Sequence, residues 1–212
     1  MPPLNINIDY LANHPELAPE LGKLFYDEWH PIYDQRGQSF DDVVSTCRER
    51  ANIGSLPLAL LGFQEEQLVG TVSLKVQDLE IRPEPTPWLA GLFVLPKWRR
   101  MGVASILIGR AIEEARRLKL KRLYLWTTSA ESLYVKLGWS EMERTDLLRP
   151  ANRYYAAADL SSPPDGTGSK CAAGLKMVKD VSAAARHDKK LRKFFGGQAA
   201  PLDMTKERRE SG

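Results

Sequence analysis

The sequence predicts a mixed α/β domain in which a mixed sheet of six to seven strands is flanked by helices on both faces. Three observations carry this prediction. Two helix-like segments follow a short first strand, the hydrophobic period then shifts to that of strands, and a strand, a long helix and a strand follow over residues 88–127. Because such crossovers are right-handed, the strands at 88–95 and 122–127 should lie side by side and parallel.

The N-terminal quarter of the chain predicts one strand and two helices. Residues 5–9 alternate apolar and polar side chains, as a short strand does. Leucines at helical spacing predict a first helix within residues 14–29. Residues 40–54 predict a second helix, with Asp41 or Asp42 as its N-cap and the closing glycine at its end.

The middle of the chain alternates between strands and helices. Residues 56–64 and 67–77 are β-rich runs joined by a short turn, which predicts a hairpin before a proline-rich loop at 80–87. Residues 88–95 are nearly all apolar, as in a strand covered on both faces. The remaining elements are a helix from Met101, a strand at 122–128, a short helix at 130–138 and strands at 139–144 and 152–160.

Composition divides the chain into two regions. Residues 1–160 have a charge balance of −2, whereas residues 161–212 have +5 and begin with a Ser/Pro/Gly-rich linker. We expect one folded domain at 1–160 and a basic, mostly disordered or partly helical tail at 161–212. The tail could contact nucleic acid or an anionic membrane surface, although its composition favours a solvated extension.

Several function classes are excluded by composition. No apolar run of about 18 residues occurs, so we expect no membrane span. Cys47 and Cys171 are the only cysteines, which fits a reduced, cytoplasmic protein without a secretory signal. Neither cysteine has a metal-ligand spacing, so we expect no metal site.

The start of the helix near Met101 has the properties of an anion-binding site. Free backbone N–H groups and the positive end of the helix dipole meet there, and Gly102 would let an anion approach them closely. Arg99 and Arg100 add positive charge. Taken alone, the pattern also fits an ordinary helix start with solvated arginines.

Two linked motifs extend this pattern, and over residues 88–144 the chain resembles the GNAT superfamily of N-acetyltransferases. The first is an Arg/Gln-x-x-Gly-x-Gly/Ala signature that begins at Arg99, and the second, at 133–139, is a Tyr-x-Lys-x-Gly-aromatic segment. The resemblance implies a mostly antiparallel sheet with one splayed parallel pair. It also implies acetyl-CoA as co-substrate and no metal.

The resemblance also implies roles for individual residues. Tyr134 would be the general acid that protonates the departing thiolate. Thr127 stands where the family often has a cofactor-binding Asn, and its side chain reaches less far. The backbone groups that would bind the pyrophosphate belong to Arg99, Arg100, Met101, Gly102, Val103 and Ala104. Those that would pair with the pantetheine arm belong to Leu92, Phe93 and Val94.

Other side chains near the expected cleft have two interpretations each. The carboxylates and histidine that could act as general base, or could be solvated surface groups, are Glu28, His30, Asp34, Glu80 and Glu84. The aromatic residues that could line an acceptor pocket, or pack in the core, are Trp29, Tyr33, Trp88 and Trp126. For Trp126, inside a buried strand, we expect the core.

The function that the resemblance implies is acetyl transfer from acetyl-CoA to a primary amine, by direct attack in a ternary complex. The acceptor could be a small amine such as a polyamine or an aminoglycoside-like compound, a lysine side chain or a protein N-terminus, and the acidic residues of 27–42 mildly favour a cationic one. The alternative is a non-catalytic acyl-CoA-binding or regulatory domain. Either could form a homodimer.

Overall fold

The computed structural model describes residues 5–78, 86–145 and 153–161. Among these residues, seven strands form one sheet and four α-helices pack around it. The strands are β1 (Ile6–Tyr10), β2 (Leu58–Gln64), β3 (Gln67–Lys75), β4 (Trp88–Val94), β5 (Arg122–Thr127), β6 (Ser140–Thr145) and β7 (Arg153–Asp159). The helices are α1 (Ala18–Gln35), α2 (Phe40–Arg48), α3 (Val103–Arg117) and α4 (Glu131–Lys136).

The strand order is β1-β2-β3-β4-β5-β7-β6. Every neighbouring pair is antiparallel except β4 and β5, which are parallel. The predicted mixed sheet and its parallel pair across the α3 crossover are therefore confirmed. The last strand in the chain, β7, lies between β5 and β6.

Helices cover the sheet on both faces, which explains why β2 and β3 are buried along nearly their whole length rather than at alternate residues. On one face, α3 inserts Leu107, Ile108 and Ala111 into the larger core. On the other face, Phe25 of α1 and Val43 of α2 belong to a second core. The sheet is thus held between α3 and the α1–α2 pair.

A bulge in β4 separates it from β5. Between the pairs Thr71–Phe93 and Ser73–Ala90, β4 has one residue more than β3, and Gly91 within this bulge has a φ of +57°. The parallel ladder of β4 and β5 consists of a single pair, Trp88 with Tyr124. Beyond that pair, the two strands lead to their carboxyl ends without pairing.

The first two helices differ from the sequence prediction. Helix α1 does not end at Trp29 but continues to Gln35 through a kink, where Trp29 has φ −122° and Pro31 lacks the N–H for a helical bond. Helix α2 ends at Arg48, well before Gly54.

The N-cap of α2 is also corrected. Ser39 caps the helix in place of Asp41 or Asp42, and its hydroxyl accepts a hydrogen bond from the Asp42 N–H at 3.2 Å. Asp42 completes a capping box by accepting the Ser39 N–H at 2.8 Å.

Two predictions fall largely outside the described residues, namely the loop at 80–87 and the basic tail at 161–212. The division into a domain at 1–160 and a tail therefore stays a prediction. No described helix has the length and apolar character needed to cross a membrane. The described residues also contain no cluster of three or more potential metal ligands from His, Cys, Asp or Glu.

Candidate active site

A cleft of about 300 Å³ opens where β4 and β5 diverge. Helices α1 and α2 form one wall, and β4, β5 and the segment leading into α4 form the other. The lining of the cleft includes the polar or titratable side chains of Glu28, Arg50, Asp78, Trp126, Thr127 and Tyr134. The cleft therefore lies at the carboxyl ends of two parallel strands, on the side where α1 bends.

The start of α3, just after β4, is an open helix N-terminus. Gly102 is its N-cap with φ +88°, and no side chain caps it, in contrast to the capping box of α2. Its first-turn N–H groups lack intrahelical acceptors, because the Ile106 N–H is the one that bonds the Gly102 carbonyl, at 3.2 Å. A Cβ at Gly102 would have no atom within 4 Å, so the space in front of these donors is open.

Arg99 organises the turn between β4 and α3. Its Nε donates to the Val94 carbonyl at 2.9 Å, and its Nη2 donates to the Glu28 carboxylate at 3.0 Å. The Arg99 backbone N–H donates to the Pro96 carbonyl at 3.2 Å. Arg99 thus links the end of β4 to α1 through its side chain. Its backbone N–H already donates a hydrogen bond within the turn.

The next residues of the motif leave the extended path. Arg100 has φ +62°, which is left-handed backbone that a non-glycine residue seldom adopts. The buried side chain of Val103 fixes the start of α3 to the core, whereas Met101 and Gly102 remain exposed. This arrangement leaves the exposed turn accessible to a bound anion.

The end of β4 offers an unpaired edge. Phe93 and Val94 pair with β3 on one side, but on the β5 side no ladder continues past Trp88. Leu92 lines the cleft beside this edge. An extended ligand could therefore add to β4 as a short extra strand, although the Val94 carbonyl is already bonded by Arg99.

Tyr134 lies on α4, with its ring packed edge-on against Trp139 at 5.8 Å between centroids. The residue is 5% exposed and contributes to the cleft lining. Burial raises the pKa of its phenol to about 12, so the group is protonated at neutral pH.

Thr127 ends β5 and lines the same cleft. Its Oγ1 accepts the N–H groups of Ser129 at 3.3 Å and Ala130 at 3.1 Å, which fixes the turn into α4. The hydroxyl retains one hydrogen to donate.

Four charged residues of the cleft were not predicted from the sequence, namely Arg36, Arg50, Lys75 and Asp78, and the two least exposed of them are Asp78 and Arg50. Asp78 accepts hydrogen bonds from Lys75 Nζ at 2.8 Å and Trp126 Nε1 at 2.7 Å. Burial opposes ionisation of Asp78, but the Lys75 charge and these hydrogen bonds hold the pKa of the carboxyl below its usual value. The second residue is Arg50, which follows α2 and is 7% exposed. A short Lys-x-x-Asp spacing was the signal for Asp78, whereas Arg50 had no local signal.

The other candidate residues divide between cleft, surface and core. Trp29, Tyr33 and Trp126 line the cleft. Trp126 is also partly buried against Trp88, so the expectation that it belongs to the core is met only in part. Trp88 is fully buried and packs against Tyr124.

Of the candidate bases, Glu28 reaches the cleft. His30 and Asp34 pair with each other on the exposed side of α1 at 3.2 Å. Glu80 and Glu84 lie outside the described residues. Among the acidic residues of the 27–42 segment, Glu28 is therefore the one whose side chain lines the cleft.

Comparison with known proteins gives the family of this architecture. The sequence profile of the acetyltransferase (GNAT) family matches residues 18–139, which is more than half of the chain. No functionally curated protein is significantly similar in sequence.

Solved structures share the fold. An aminoglycoside 6′-N-acetyltransferase complexed with coenzyme A matches with a TM-score of 0.59 and 17% identity over 75% of this chain and 99% of that one. The aminoglycoside 6′-N-acetyltransferase from Enterococcus faecium matches with the same TM-score, identity and coverage. The yncA protein of Salmonella typhimurium, solved with its cofactor acetyl-CoA, gives 0.56 and 16% over 77% of this chain and 98% of that one.

Proposed function

This chain belongs to the GNAT family of acetyltransferases, and we propose that it transfers an acetyl group from acetyl-CoA to a primary amine of a small acceptor. The observation that supports the proposal is that two features lie together at the carboxyl ends of the parallel strands. These are the uncapped N-terminus of α3 and the unpaired edge of β4. The first suits a diphosphate and the second suits the amides of pantetheine. When bound, acetyl-CoA supplies a thioester as the acetyl donor.

The backbone of the α3 start would hold the coenzyme through main-chain donors. The N–H groups of Gly102, Val103 and Ala104 lie in the first turn, where the helix dipole is positive. Arg100 and Met101 flank them on the exposed turn. Arg99 would act through its side chain, by fixing the turn to Glu28 and Val94, rather than through its N–H.

The chemistry at the cleft requires one bond to form and one to break. The amine nitrogen bonds to the acetyl carbon and the carbon–sulfur bond breaks. The amine releases its proton to solvent, the sulfur gains a proton from an acid of the cleft, and solvent restores the proton to that acid. We assign the proton on sulfur to Tyr134. A phenol is protonated at neutral pH, and burial, which raises the pKa of Tyr134 to about 12, keeps it so well into the alkaline range, so it is available as a donor.

The raised pKa of Tyr134 makes its phenol a weaker acid. An ordinary thiol has a pKa of about 8.5, well below the value of the buried phenol. The departing thiolate is however formed in the same desolvated cleft, and desolvation raises the pKa of any group whose charged form is the anion. Both pKa values therefore move upward, and the proton transfer is less uphill than the phenol alone suggests.

The size of the cleft supports a small acceptor rather than a folded protein segment. Its volume of about 300 Å³ lies at the lower end of the range for ligand pockets. Aromatic side chains from both walls, Trp29 and Trp126, enclose it.

The test is an amine panel with acetyl-CoA, in which release of free thiol is followed and each product is identified by mass. We expect saturable acetylation of at least one small amine. Binding of acetyl-CoA without transfer to any amine would instead indicate a binding or regulatory domain. Absence of both binding and transfer would refute the proposal.

A further inference from the structure

Arg50 is a buried cation that has no counter-ion among the residues the structure describes. The residue is 7% exposed, and within the described part of the chain it forms no salt bridge. Its one side-chain hydrogen bond runs from Nη1 to Ser73 Oγ at 3.4 Å, and its Nε is buried with no partner. A desolvated guanidinium in this state is costly, so its retention calls for an explanation.

The packing around Arg50 holds the guanidinium at the cleft. Its Cζ lies 5.4 Å from the centre of the Phe25 ring, which supports one face of the group. The β4 bulge faces it, because a Cβ built on Gly91 would come within 3.2 Å of Nη1. Arg50 therefore lies beside the point where β4 parts from β5, on the α1–α2 side of the sheet.

The negative groups of the cleft already have partners. Glu28 pairs with Arg99, and Asp78 pairs with Lys75. Among the described lining residues, these two supply the carboxylates. Arg50 is thus left as a buried positive charge with unused donors, whereas Arg36 at the rim is exposed to solvent.

We propose that Arg50 binds a carboxylate of the acceptor, so that the substrate is an amine that also carries a carboxylate, such as an amino acid. This inference rests on the proposed acetyltransferase function and narrows its substrate class. The planar guanidinium can meet the two oxygens of a carboxylate with two parallel N–H groups. In the proposed complex the phosphates of the coenzyme lie at the start of α3, and there they would not serve as the counter-ion of Arg50.

The experiment compares matched acceptors at saturating acetyl-CoA. The panel contains α- and ω-amino acids, the amides of the same amino acids, and taurine and phosphoethanolamine as amines with other anions. We expect acetylation of one or more amino acids with kcat/KM about 10–100-fold above that of the matching amides. An amide is also the more easily deprotonated amine, so this preference would run against intrinsic reactivity.

Two variants test the assignment to Arg50. Arg50→Met keeps the apolar packing and removes the charge, and we expect it to abolish the preference for the acid over the amide. Arg48→Met makes the same charge change on the exposed side of α2 and should leave the preference intact. Thermal unfolding of each variant establishes that it is folded. A third variant, Arg50→Lys, keeps the positive charge but loses the two parallel N–H groups of the guanidinium, and it should retain part of the preference.

Three outcomes would overturn the inference while leaving acetyl transfer itself standing. These are faster acetylation of amides or of the sulfonate and phosphate amines, an unchanged preference in Arg50→Met, and a panel in which no amino acid is acetylated although other amines are. If no amine is acetylated and acetyl-CoA does not bind, the proposed function itself fails.

Discussion

At the scale of single residues, the cleft is held in place by side chains that already have partners. Arg99 spans from the end of β4 to Glu28, Thr127 fixes the turn before α4, and Asp78 joins Lys75 to Trp126. Such contacts are made before a ligand arrives, so little ordering remains to be done on binding. We expect a ligand to contact the residues whose hydrogen-bond donors are still unused.

Gly102→Glu should weaken acetyl-CoA binding by about tenfold or more, because it places a negative charge at the helix N-terminus and a side chain at φ +88°. The dissociation constant can be measured by isothermal titration calorimetry. Gly109→Glu is the matched control, since Gly109 lies exposed within α3 with no atom near its Cβ position. Equal dissociation constants for the two variants would place the diphosphate elsewhere.

Tyr134→Phe should lower kcat by about 100-fold while sparing acetyl-CoA affinity, because general acid catalysis typically contributes factors of that size. The phenol has a pKa of about 12, so it stays protonated below that pH. The wild-type rate should therefore show no loss through this group between pH 8 and about 10. A kcat unchanged in the variant would leave Tyr134 as a packing residue against Trp139.

At the scale of elements, α3 is tied to β1 through one buried carboxylate. Glu114 is fully buried and receives hydrogen bonds from Arg117 at 2.6 Å and from the Tyr10 hydroxyl at 2.7 Å. Hydrogen bonds from Arg117 are the main reason that the pKa of Glu114 lies below its usual value. The helix that begins after Gly102 is thus joined to the edge strand β1.

Glu114→Gln should reduce the free energy of unfolding by about 1–3 kcal/mol at neutral pH, since it removes charge-assisted hydrogen bonds from a buried site. The native pKa is lowered, so the carboxylate stabilises the fold above its unfolded-state pKa, and this contribution is lost as the pH falls through the native pKa. The difference between wild type and variant in urea unfolding should accordingly shrink towards acidic pH. A pH-independent difference would contradict the electrostatic origin of this contact.

Most elements were predictable from local patterns, and the errors have identifiable causes. Periodicity located all seven strands and the long α3, because its signal comes from residues close in sequence. The extension of α1 past Trp29 was missed, since Pro31 normally ends a helix and here produces a kink instead. The N-cap of α2 was missed because Ser39 precedes two aspartates that are equally good caps in isolation.

At the scale of the whole molecule, the cleft is made by the sheet rather than by any one motif. The bulge at Gly91 turns β4 away from β5, and the space that results lies under the bend of α1. Residues 99–104 and Tyr134 could be selected from the sequence as candidates, because each belongs to a short contiguous pattern. Arg50 could not be placed in the cleft, because tertiary packing brings it there from a segment that carries no motif. The Lys-x-x-Asp spacing at Asp78 indicates a local ion pair but not its position in the cleft.

Acetyl-CoA binding should raise the melting temperature of the whole domain. At a coenzyme concentration 100 times the dissociation constant, binding to the native state adds about 2.7 kcal/mol, which for a domain of this size corresponds to about 5–10 °C. S-acetylpantetheine, which lacks the diphosphate, should give a clearly smaller shift at equal concentration, because it leaves the α3 N-terminus without an anion. Both shifts can be measured by differential scanning fluorimetry. Equal shifts with the two compounds would show that the diphosphate does not contribute to binding.

Every described strand and helix lies within residues 5–161, so a chain truncated after Ser161 should show the same pair of shifts in that measurement. Loss of the shift on truncation would show that the tail takes part in binding.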